Sequence, residues 1–491
     1  MQPSPRLSSV WVVARSLILL LAALALAPAA QAGGPSLRLG AATDLVKQPT
    51  LPAAKAQLQL LRLAGLDTVR ITAVWSPGQT APEAAEAARI KNVADAANVL
   101  GIRVIVAVYN ATSGTTPLTE EARADFAAFA ATVVRENRSI REVIVGNEPN
   151  LNRFWLPQFD ESGASLAPAA YLQLLAQAYD ALKAVSPAIT VWGGSLSPRG
   201  TDRPFGIRPS HSPTTFLQGL GAAYRASGRT VRVMDGLAIH PYGDNSSQAP
   251  SRSAHPNTTS IGLADYAKLV SLIGRAFDGT AQPGWALPIL YDEYGVETVV
   301  PEAKASLYAG TEADSTRAVD EATQGAYYRE AIAMTFCQPN VRGLLLFHSL
   351  DETDLGRWQS GVYYADGKPK ASLPAVRGAA AESRRAVVAA CPGLALTPKL
   401  RRAQWPTPGK ASLPVRVRLS CSIDCTGAIF VESVPGGRPV ATRALDLVGG
   451  EFRRTSLGRL APGQYRLRLS VTATVNPGPP LERRSPPFRL R

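Results

Sequence analysis

Cysteine, histidine and long apolar runs are all scarce in this sequence. Its 491 residues include four cysteines and four histidines, and the histidines (His211, His240, His255 and His348) are scattered, none of them near a cysteine. Transition metals are held by clusters of such side chains, so we expect no metal site and no metal-dependent hydrolase. After residue 32 there is no run of about 18 apolar residues, so we expect no membrane span in the mature chain.

The first 32 residues have the pattern of a secretory signal peptide. Arg6 and Arg15 precede the apolar residues 16–27, and Ala30 and Ala32 are small residues at the spacing that a signal peptidase reads. The apolar stretch is short for a membrane span. We therefore predict a secreted or extracellular protein whose mature chain begins near Gly33. A retained N-terminal anchor is the alternative.

The net charge of +14 is placed unevenly along the chain. Residues 399–491 contain 17 Lys and Arg against five Asp and Glu, whereas residues 33–398 carry equal numbers of the two signs. The basic character therefore belongs to the C-terminal part. For an exported chain we expect no nucleic-acid partner, and acidic envelope polymers or anionic glycans fit the charge better.

Residues 33–392 predict an α/β architecture, a (β/α)8 TIM barrel. Short β-branched runs alternate eight times with alanine-rich amphipathic segments, which is the pattern of parallel strands separated by helices. The predicted strands are residues 37–42, 69–74, 102–108, 143–145, 189–192, 235–239, 288–291 and 344–347. The predicted helices are residues 52–63, 82–100, 119–136, 167–185 and, after the seventh strand, 315–334.

The carboxyl ends of these strands carry the polar and aromatic residues. In such a barrel the active site lies at that end, in the loops that follow the strands. The residues placed there are Asp44, Arg70, Trp75, Tyr109, Asn110, Asn147, Glu148, His240, Tyr242, Glu293 and His348. Glu148 follows the fourth strand and Glu293 the seventh, so the barrel would supply two carboxylates to one cleft. Paired carboxylates are the requirement of a glycosidase, although either glutamate alone could equally be an ion-pair partner.

The motifs at four of these strand ends resemble glycoside hydrolase clan A, most closely families 5 and 39. They are Arg70, the Asn147-Glu148 pair before Pro149, His240 with Tyr242, and Glu293 after an aspartate. The resemblance covers about residues 36–375. It implies a retaining mechanism in which Glu148 is the acid/base and Glu293 the nucleophile. It also implies that Asn147 contacts the sugar 2-hydroxyl, Tyr242 hydrogen-bonds Glu293, and Arg70 keeps Glu293 ionised.

Two strand ends depart from that family pattern and bear on the substrate. The third strand ends in Tyr109 and Asn110, where histidine is common, and the eighth in Phe347 and His348, where tryptophan is usual. We expect Asn110 and His348 to contact the substrate. The sugar-stacking candidates are Trp75, Trp155 and Trp358, each of which could instead be a packed core aromatic. We further expect no cation beside Glu148, an environment that would favour its protonated form.

The four cysteines form an even number and are expected to pair in an exported chain. Cys337 ends the predicted seventh helix and Cys391 the eighth, so both lie at the bottom of adjacent barrel units and could form a structural disulfide. Cys421 and Cys425 can bond only if the three residues between them turn the chain, because four extended residues would hold them about 13 Å apart.

Residues 393–491 predict a linker and a small all-β, immunoglobulin-like sandwich. Helical periodicity vanishes, proline and arginine increase, and segments such as 415–419 and 465–469 alternate apolar residues with arginines. The arginines form either a solvated outer face or a binding surface.

Together these patterns predict a secreted retaining glycoside hydrolase that cleaves a poly- or oligosaccharide and needs no cofactor. The alternative is a non-catalytic carbohydrate-binding or cell-envelope protein built on the same barrel. The sugar, the linkage and the choice between exo and endo action do not follow from the sequence.

Overall fold

The computed structural model describes residues 33–406, 409–410 and 414–490. The predicted signal peptide, residues 1–32, lies outside the described residues. No helix within the described ranges is both long enough and apolar enough to cross a membrane.

Eight strands and eight α-helices alternate through residues 33–392. The strands are β1 (Arg38–Ala42), β2 (Thr68–Trp75), β3 (Arg103–Asn110), β4 (Glu142–Val145), β5 (Thr190–Leu196), β6 (Gly236–Ile239), β7 (Ile289–Tyr294) and β8 (Val341–Phe347). The helices are α1 (Leu51–Leu63), α2 (Ala84–Leu100), α3 (Glu120–Glu136), α4 (Ala167–Val185), α5 (Pro213–Ala226), α6 (Tyr266–Phe277), α7 (Glu321–Phe336) and α8 (Leu373–Arg385).

The eight strands close into a parallel barrel. They are hydrogen-bonded in sequence order, and β1 closes the ring because Ala41 pairs with Val69 of β2 on one side and with Leu346 of β8 on the other. The prediction of a (β/α)8 barrel is therefore confirmed. All eight strands point their carboxyl ends to the same rim, which sets the position of the candidate site.

Local capping fixes the helix ends, and it explains the one predicted helix that was misplaced. The predicted start at residue 315 is wrong, because α7 begins at Glu321. The Asp320 side chain accepts a hydrogen bond from the backbone N–H of Thr323 at 2.7 Å and so caps the helix. Residues 314–316 form a separate short 3-10 turn that ends at Arg317, whose φ of 50° interrupts any continuous helix.

The barrel interior is filled by side chains that point inward from the strands. They are Ile105, Ala107, Ile144, Trp192, Ala238, Leu290 and Leu345. Gly236 makes room for the largest of them, because a Cβ at that position would lie 2.2 Å from the ring of Trp192. At the bottom, Glu142 accepts hydrogen bonds from Trp192 Nε1 at 3.0 Å and from Arg38 at 2.5 Å. The barrel is thus a packed core that opens only at its carboxyl rim.

The described residues of the C-terminal part form nine strands and no helix. They are β9 (Leu400–Gln404), β10 (Gly409–Lys410), β11 (Arg416–Cys421), β12 (Cys425–Ser433), β13 (Pro439–Leu447), β14 (Arg453–Ser456), β15 (Gly463–Ala473), β16 (Leu481–Arg484) and β17 (Phe488–Leu490). One sheet has the order β14-β11-β9, and a six-stranded sheet contains the others. Val417 and Leu419 of the first sheet and Leu467 and Leu469 of the second are buried. The predicted all-β module is therefore confirmed.

One of the two expected cysteine pairs is bonded. Cys337 and Cys391 form a disulfide with an S–S distance of 2.04 Å, as the barrel topology predicts. The other expected pairing is wrong, because the thiols of Cys421 and Cys425 are both free and buried. Cys421 ends β11 in the three-stranded sheet and Cys425 begins β12 in the other sheet, and the two unbonded thiols contact each other across the turn between these strands.

Candidate active site

Glu148 and Glu293 reach the same cleft from opposite parts of the barrel. Glu293 lies within β7, and Glu148 lies three residues after β4. The backbone of Glu148 has a φ of 43°, a left-handed conformation that is uncommon for a residue other than glycine. Its N–H donates to the carbonyl of Ser195, at the end of β5, over 2.8 Å. A backbone held in this region is typical of functional sites and aims the carboxylate away from the strand.

A single imidazole nitrogen limits the separation of the two carboxylates. His240 Nδ1 lies 2.9 Å from Glu148 Oε1 and 3.4 Å from Glu293 Oε2. These two oxygens are therefore no more than about 6.3 Å apart, the sum of the two distances. That limit falls below the range of roughly 6.5–9.5 Å that leaves room for a water in an inverting glycosidase.

Glu293 is held by a cation and a phenol. Arg70 Nη1 donates to Oε1 at 2.6 Å, and the hydroxyl of Tyr242 donates to Oε2 at 3.0 Å. Burial opposes the charge on Arg70, but Glu293 and Asp292 outweigh it and raise the pKa of Arg70. Burial, reinforced by Glu293, also raises the pKa of Tyr242, so its hydroxyl remains a donor. Glu293 is thus oriented at both of its oxygens.

Asn147 is oriented by the same arginine. Arg70 Nη2 donates to Asn147 Oδ1 at 2.8 Å, and Asn147 lines the cleft. Since the amide oxygen is occupied by Arg70, the amide NH₂ remains for a hydroxyl group of a bound molecule.

His240 contradicts the expectation that Glu148 has no cation beside it. Burial alone would lower the pKa of His240, but the charges of Glu293 and Asp292 and the hydrogen bonds to Asp292 and Glu148 raise it to about 10. The imidazole is therefore doubly protonated at neutral pH. A strand-end histidine was expected to bind substrate, yet it is completely buried and lies beneath both carboxylates.

The opposite side of the imidazole rests on Ser195 and Asp292. Nε2 of His240 lies 2.9 Å from Ser195 Oγ and 3.3 Å from Asp292 Oδ2, while Ser195 Oγ donates to Asp292 Oδ2 at 2.7 Å. Burial raises the pKa of Asp292, but His240, Arg70 and Ser195 outweigh it and the net shift is downward. Asp292 is thus an anion in the barrel core, and sequence analysis assigned it and Ser195 no role.

The charges of this cluster balance when Glu148 is protonated. Two cations, Arg70 and His240, then face two anions, Asp292 and Glu293. If Glu293 loses its charge by forming a covalent bond, the same balance is reached with Glu148 ionised. The buried cluster therefore carries the same net charge in these two states.

The cleft above the cluster has a volume of about 700 Å³. It is lined by Ala42, Thr43, Asp44, Arg70, Thr72, Tyr109, Asn147, Glu148, Arg153, Phe154, Tyr242, Glu293, Phe347, His348, Glu352, Asp354, Gly356, Arg357 and Trp358. Both predicted catalytic residues and five of the nine predicted substrate contacts (Arg70, Asn147, Tyr242, His348 and Trp358) therefore line it, and His240 lies directly beneath. The rings of Tyr242 and Trp358 pack at 4.9 Å between centroids, and Phe347 meets Trp358 edge-on at 5.3 Å. These rings form an aromatic wall next to Glu293.

Three predicted substrate contacts, Trp75, Trp155 and Asn110, do not line the cleft, so these predictions are wrong. Trp75 is fully buried against Phe126, and its Nε1 donates to the carbonyl of Gln79. Trp155 is buried against Tyr171, with centroids 5.7 Å apart. Both tryptophans are therefore core aromatics.

Asn110 is the third of these corrections. Its amide is buried and donates to the carbonyls of Thr112 and Phe154 at 2.6 and 3.0 Å, so it fixes two loops.

Several cleft residues were missing from the predicted site. Asp44 and Tyr109 were placed at the strand ends by the sequence but were given no role, and both line the cleft. Asp44 accepts a hydrogen bond from the backbone N–H of Thr72 at 2.8 Å and lies 3.3 Å from Lys47 Nζ. Arg153, Phe154, Glu352, Asp354 and Arg357 come from long loops, whose course a periodicity pattern does not reveal. His348 Nδ1 donates to the carbonyl of Ala42, leaving Nε2 3.7 Å from Glu352.

Among the described residues no group of three or more His, Cys, Asp and Glu is arranged to hold a metal ion.

The fold and the site define the class of protein: a (β/α)8 barrel with two carboxylates at the carboxyl ends of β4 and β7. Solved structures with a similar fold include glycoside hydrolases, at low sequence identity. No protein family model matches the chain. No curated protein matches its sequence.

Three of these structures illustrate the similarity. A family 39 glycoside hydrolase from Xanthomonas axonopodis pv. citri has a TM-score of 0.47 and 15% identity, covering 88% of this chain and 94% of that one. An exo-β-1,4-mannosidase from Opitutaceae bacterium strain TAV5 has a TM-score of 0.47 and 18% identity, and the match covers 73% of this chain and 62% of the mannosidase. A Bacteroides uniformis β-glucuronidase has a TM-score of 0.46 and 12% identity. The match covers 94% of this chain and 47% of the β-glucuronidase, so the chain spans about half of that protein's length. These similarities concern the fold alone.

Proposed function

We propose that the protein is a retaining glycoside hydrolase acting on a poly- or oligosaccharide. The observation that carries the proposal is the shared contact with His240, which limits the Glu148 to Glu293 separation to about 6.3 Å. Retaining enzymes need carboxyl groups about 5–5.5 Å apart, so that one attacks the anomeric carbon directly while the other reaches the glycosidic oxygen.

In the first step a Glu293 oxygen attacks the anomeric carbon and the bond to the leaving oxygen breaks. Glu148 gives its proton to that oxygen, so the leaving sugar departs as an alcohol. Glu293 becomes neutral by ester formation as Glu148 becomes an anion, which preserves the charge balance of the buried cluster. Arg70 and Tyr242 orient Glu293, and the Asn147 amide is placed to contact a sugar hydroxyl.

In the second step Glu148 removes a proton from water, and the water oxygen attacks the anomeric carbon. The ester bond to Glu293 breaks, and the released sugar keeps its original configuration. Glu148 is thereby protonated again and Glu293 ionised. Each half-reaction exchanges the charges of the two glutamates, so the site needs no external counter-ion.

The test combines substitution of each glutamate with chemical rescue. On activated aryl glycosides, Glu148→Ala and Glu293→Ala should each lower kcat by roughly 10²–10⁴-fold or more. With azide, Glu148→Ala should release a glycosyl azide of retained configuration, and Glu293→Ala one of inverted configuration. NMR of the anomeric proton distinguishes them.

The control for this test is Glu136→Gln, which alters an exposed carboxylate at the end of α3 that does not line the cleft and should keep full activity. Full turnover by the Glu148→Ala, Glu293→Ala double variant would refute the proposal. The proposal would also fail if the wild-type protein cleaved no glycan and the Glu293→Gln variant bound glycans as tightly as the wild type. That result would identify a carbohydrate-binding protein.

Export is a further part of the proposal. The Cys337 to Cys391 disulfide supports it, since such bonds form and persist in oxidising compartments. We propose that residues 1–32 are removed as a signal peptide, that residues 33–392 form the catalytic domain, and that residues 393–491 form a linker and an accessory module. N-terminal sequencing of protein from the culture medium should begin near Gly33; an intact N-terminus on membrane-bound protein would contradict this.

A further inference from the structure

The three-stranded sheet β14-β11-β9 carries a concentration of exposed arginines. All six, two from each strand, are solvent-exposed: Arg401, Arg402, Arg416, Arg418, Arg453 and Arg454. We call this surface the arginine sheet. Val417 and Leu419 face the module's core, so Arg416, Arg418 and Arg454 share the outer face of the sheet. Arg402 and Arg453 pair with Leu419 and lie on its side of the sheet, exposed on the two flanking strands.

The strand register places like charges against each other. Arg418 of β11 lies directly opposite Arg454 of β14, and Arg416 lies two residues along the same strand on the same face. Directly opposed side chains have Cβ atoms about 4.5–5.5 Å apart, so two guanidinium groups there repel each other. The sheet therefore accepts a destabilising arrangement that polar uncharged side chains would avoid.

No carboxylate compensates this repulsion within the described ranges. None of the six arginines has an Asp or Glu oxygen within ion-pair distance, although the module contains acidic residues. Asp424 pairs with Arg385 at 2.7 Å, and Glu432 and Glu482 lie 2.7 and 3.5 Å from Arg468 in the other sheet. Acidic side chains thus serve the six-stranded sheet and the barrel, and the arginine sheet is left without them.

We propose that the arginine sheet binds an acidic polysaccharide, a polymer that carries carboxylates along its length. A guanidinium group fits a carboxylate with two parallel hydrogen bonds, and rows of arginines match a repeating anion. Other polyanions fit less well. Phe452 is an exposed aromatic residue at this sheet, and Arg418 lies over its ring at 4.9 Å. Trp405, which follows β9, is partly buried against the core, and Arg402 lies over its ring at 5.7 Å. Neither an apolar face for a bilayer nor a free ring for base stacking is therefore offered.

The choice of a polysaccharide rests on the proposed function of the barrel. Binding to the polymer through a second site would keep the cleft at a high local concentration of cleavable bonds without new contacts in the cleft.

The experiment uses the full chain and two variants with the same change in net charge. The first replaces Arg416, Arg418 and Arg454 by glutamine, and the control replaces Arg443, Arg483 and Arg489, three exposed arginines of the other sheet. Calorimetry with polygalacturonate should show at least roughly tenfold weaker binding for the first variant and a change within about twofold for the control. Dextran, a neutral polymer, should bind neither.

A second measurement tests whether the first variant folds. Because glutamine removes the opposed charges, the midpoint of thermal unfolding at low salt should stay equal to wild type or rise. Hydrolysis of aryl glycosides should be unchanged, since no substituted residue lines the cleft.

If the two variants lost affinity for polygalacturonate equally, binding would depend on the net charge of the protein and not on the arginine sheet, and the inference would be overturned. Tighter binding of the wild-type protein to phosphatidylglycerol vesicles or to a single-stranded oligonucleotide than to polygalacturonate would overturn the choice of partner. Binding involves no turnover, so it is also measured in Glu293→Gln. If no glycan is ever cleaved but the arginine variants still differ, the proposed function fails while this inference stands.

Discussion

Nδ1 of His240 lies 2.9 Å from Oε1 of Glu148, so a buried imidazole is a direct partner of the carboxyl group assigned to proton transfer. The other nitrogen of the ring faces Ser195 and Asp292. The chemistry at the cleft thus depends on a charge that lies below it, in the core of the barrel. Two predictions test whether that charge exists and what maintains it.

The protonation of His240 should depend on Asp292. Wild-type His240 should stay doubly protonated until the pH approaches about 10, the value to which its anionic neighbours raise its pKa. Asp292→Asn removes one of those anions and should lower the pKa. With ¹⁵N-labelled histidine, NMR can follow all four rings, and substitution of each histidine assigns its signals.

Ser195→Ala is the matched control for Asp292→Asn. It removes a hydrogen bond of the same network but leaves the charge of Asp292, so the shift in the His240 pKa should be smaller. The expected loss of stability is about 1–3 kcal/mol for Ser195→Ala and about 3–5 kcal/mol for Asp292→Asn, because the second leaves buried cations uncompensated. Equal His240 titrations in the two variants would show that Asp292 does not maintain the charge.

The protonation of His240 should also make stability depend on pH. Its pKa is raised from 6.5 to about 10 on folding, so the folded state holds a proton that the unfolded state releases between these values. The stabilisation is fully present below about pH 6.5 and is lost as the pH rises through 10. The difference in thermal midpoint between wild type and His240→Gln should therefore shrink from pH 7 to pH 10.5. A constant difference would mean that His240 is neutral in the folded protein.

Trp358 should contribute to substrate binding more than to the chemical step. Its ring packs on Tyr242 in the wall of the cleft, where a sugar ring could stack on it. Trp358→Ala should raise KM roughly 2–10-fold, the equivalent of about 0.5–1.5 kcal/mol, with a smaller change in kcat. Trp285, which is 66% exposed and precedes β7 at the opposite end of the barrel, is the control. Trp285→Ala should leave KM unchanged; similar effects of both would exclude a stacking role.

The sequence was informative where topology alone decides position. Once eight strands are recognised as parallel and closed, Asn147, Glu148 and Glu293 must lie at one rim, because their strands end there. Arg70 is the third residue of β2 and reaches Glu293 with its long side chain. The helix over residues 167–185 was also predicted with its correct ends, since its apolar periodicity is long and uninterrupted.

The wrong predictions concern the direction in which single side chains point and how deeply they are buried. Trp75 stands at a strand end, yet it points outward against Phe126, since successive strand residues alternate between faces and a one-residue change in register reverses them. The cation beside Glu148 was missed for a related reason. His240 was placed at the rim as a ligand for substrate, whereas the end of β6 turns it beneath the carboxylates.

The Cys337 to Cys391 disulfide should stabilise the barrel without affecting the cleft. The bond joins the end of α7 to the segment after α8 and spans 54 residues of sequence. Closing a loop of that size removes conformational entropy from the unfolded chain worth about 4 kcal/mol. Cys337→Ser with Cys391→Ser should therefore lower the midpoint of unfolding by several degrees and leave kcat on aryl glycosides unchanged at 25 °C. The control is Cys421→Ser, which alters a free thiol and should change the midpoint by less. If the double variant were as stable as the wild type, the bond would not be formed in the native protein.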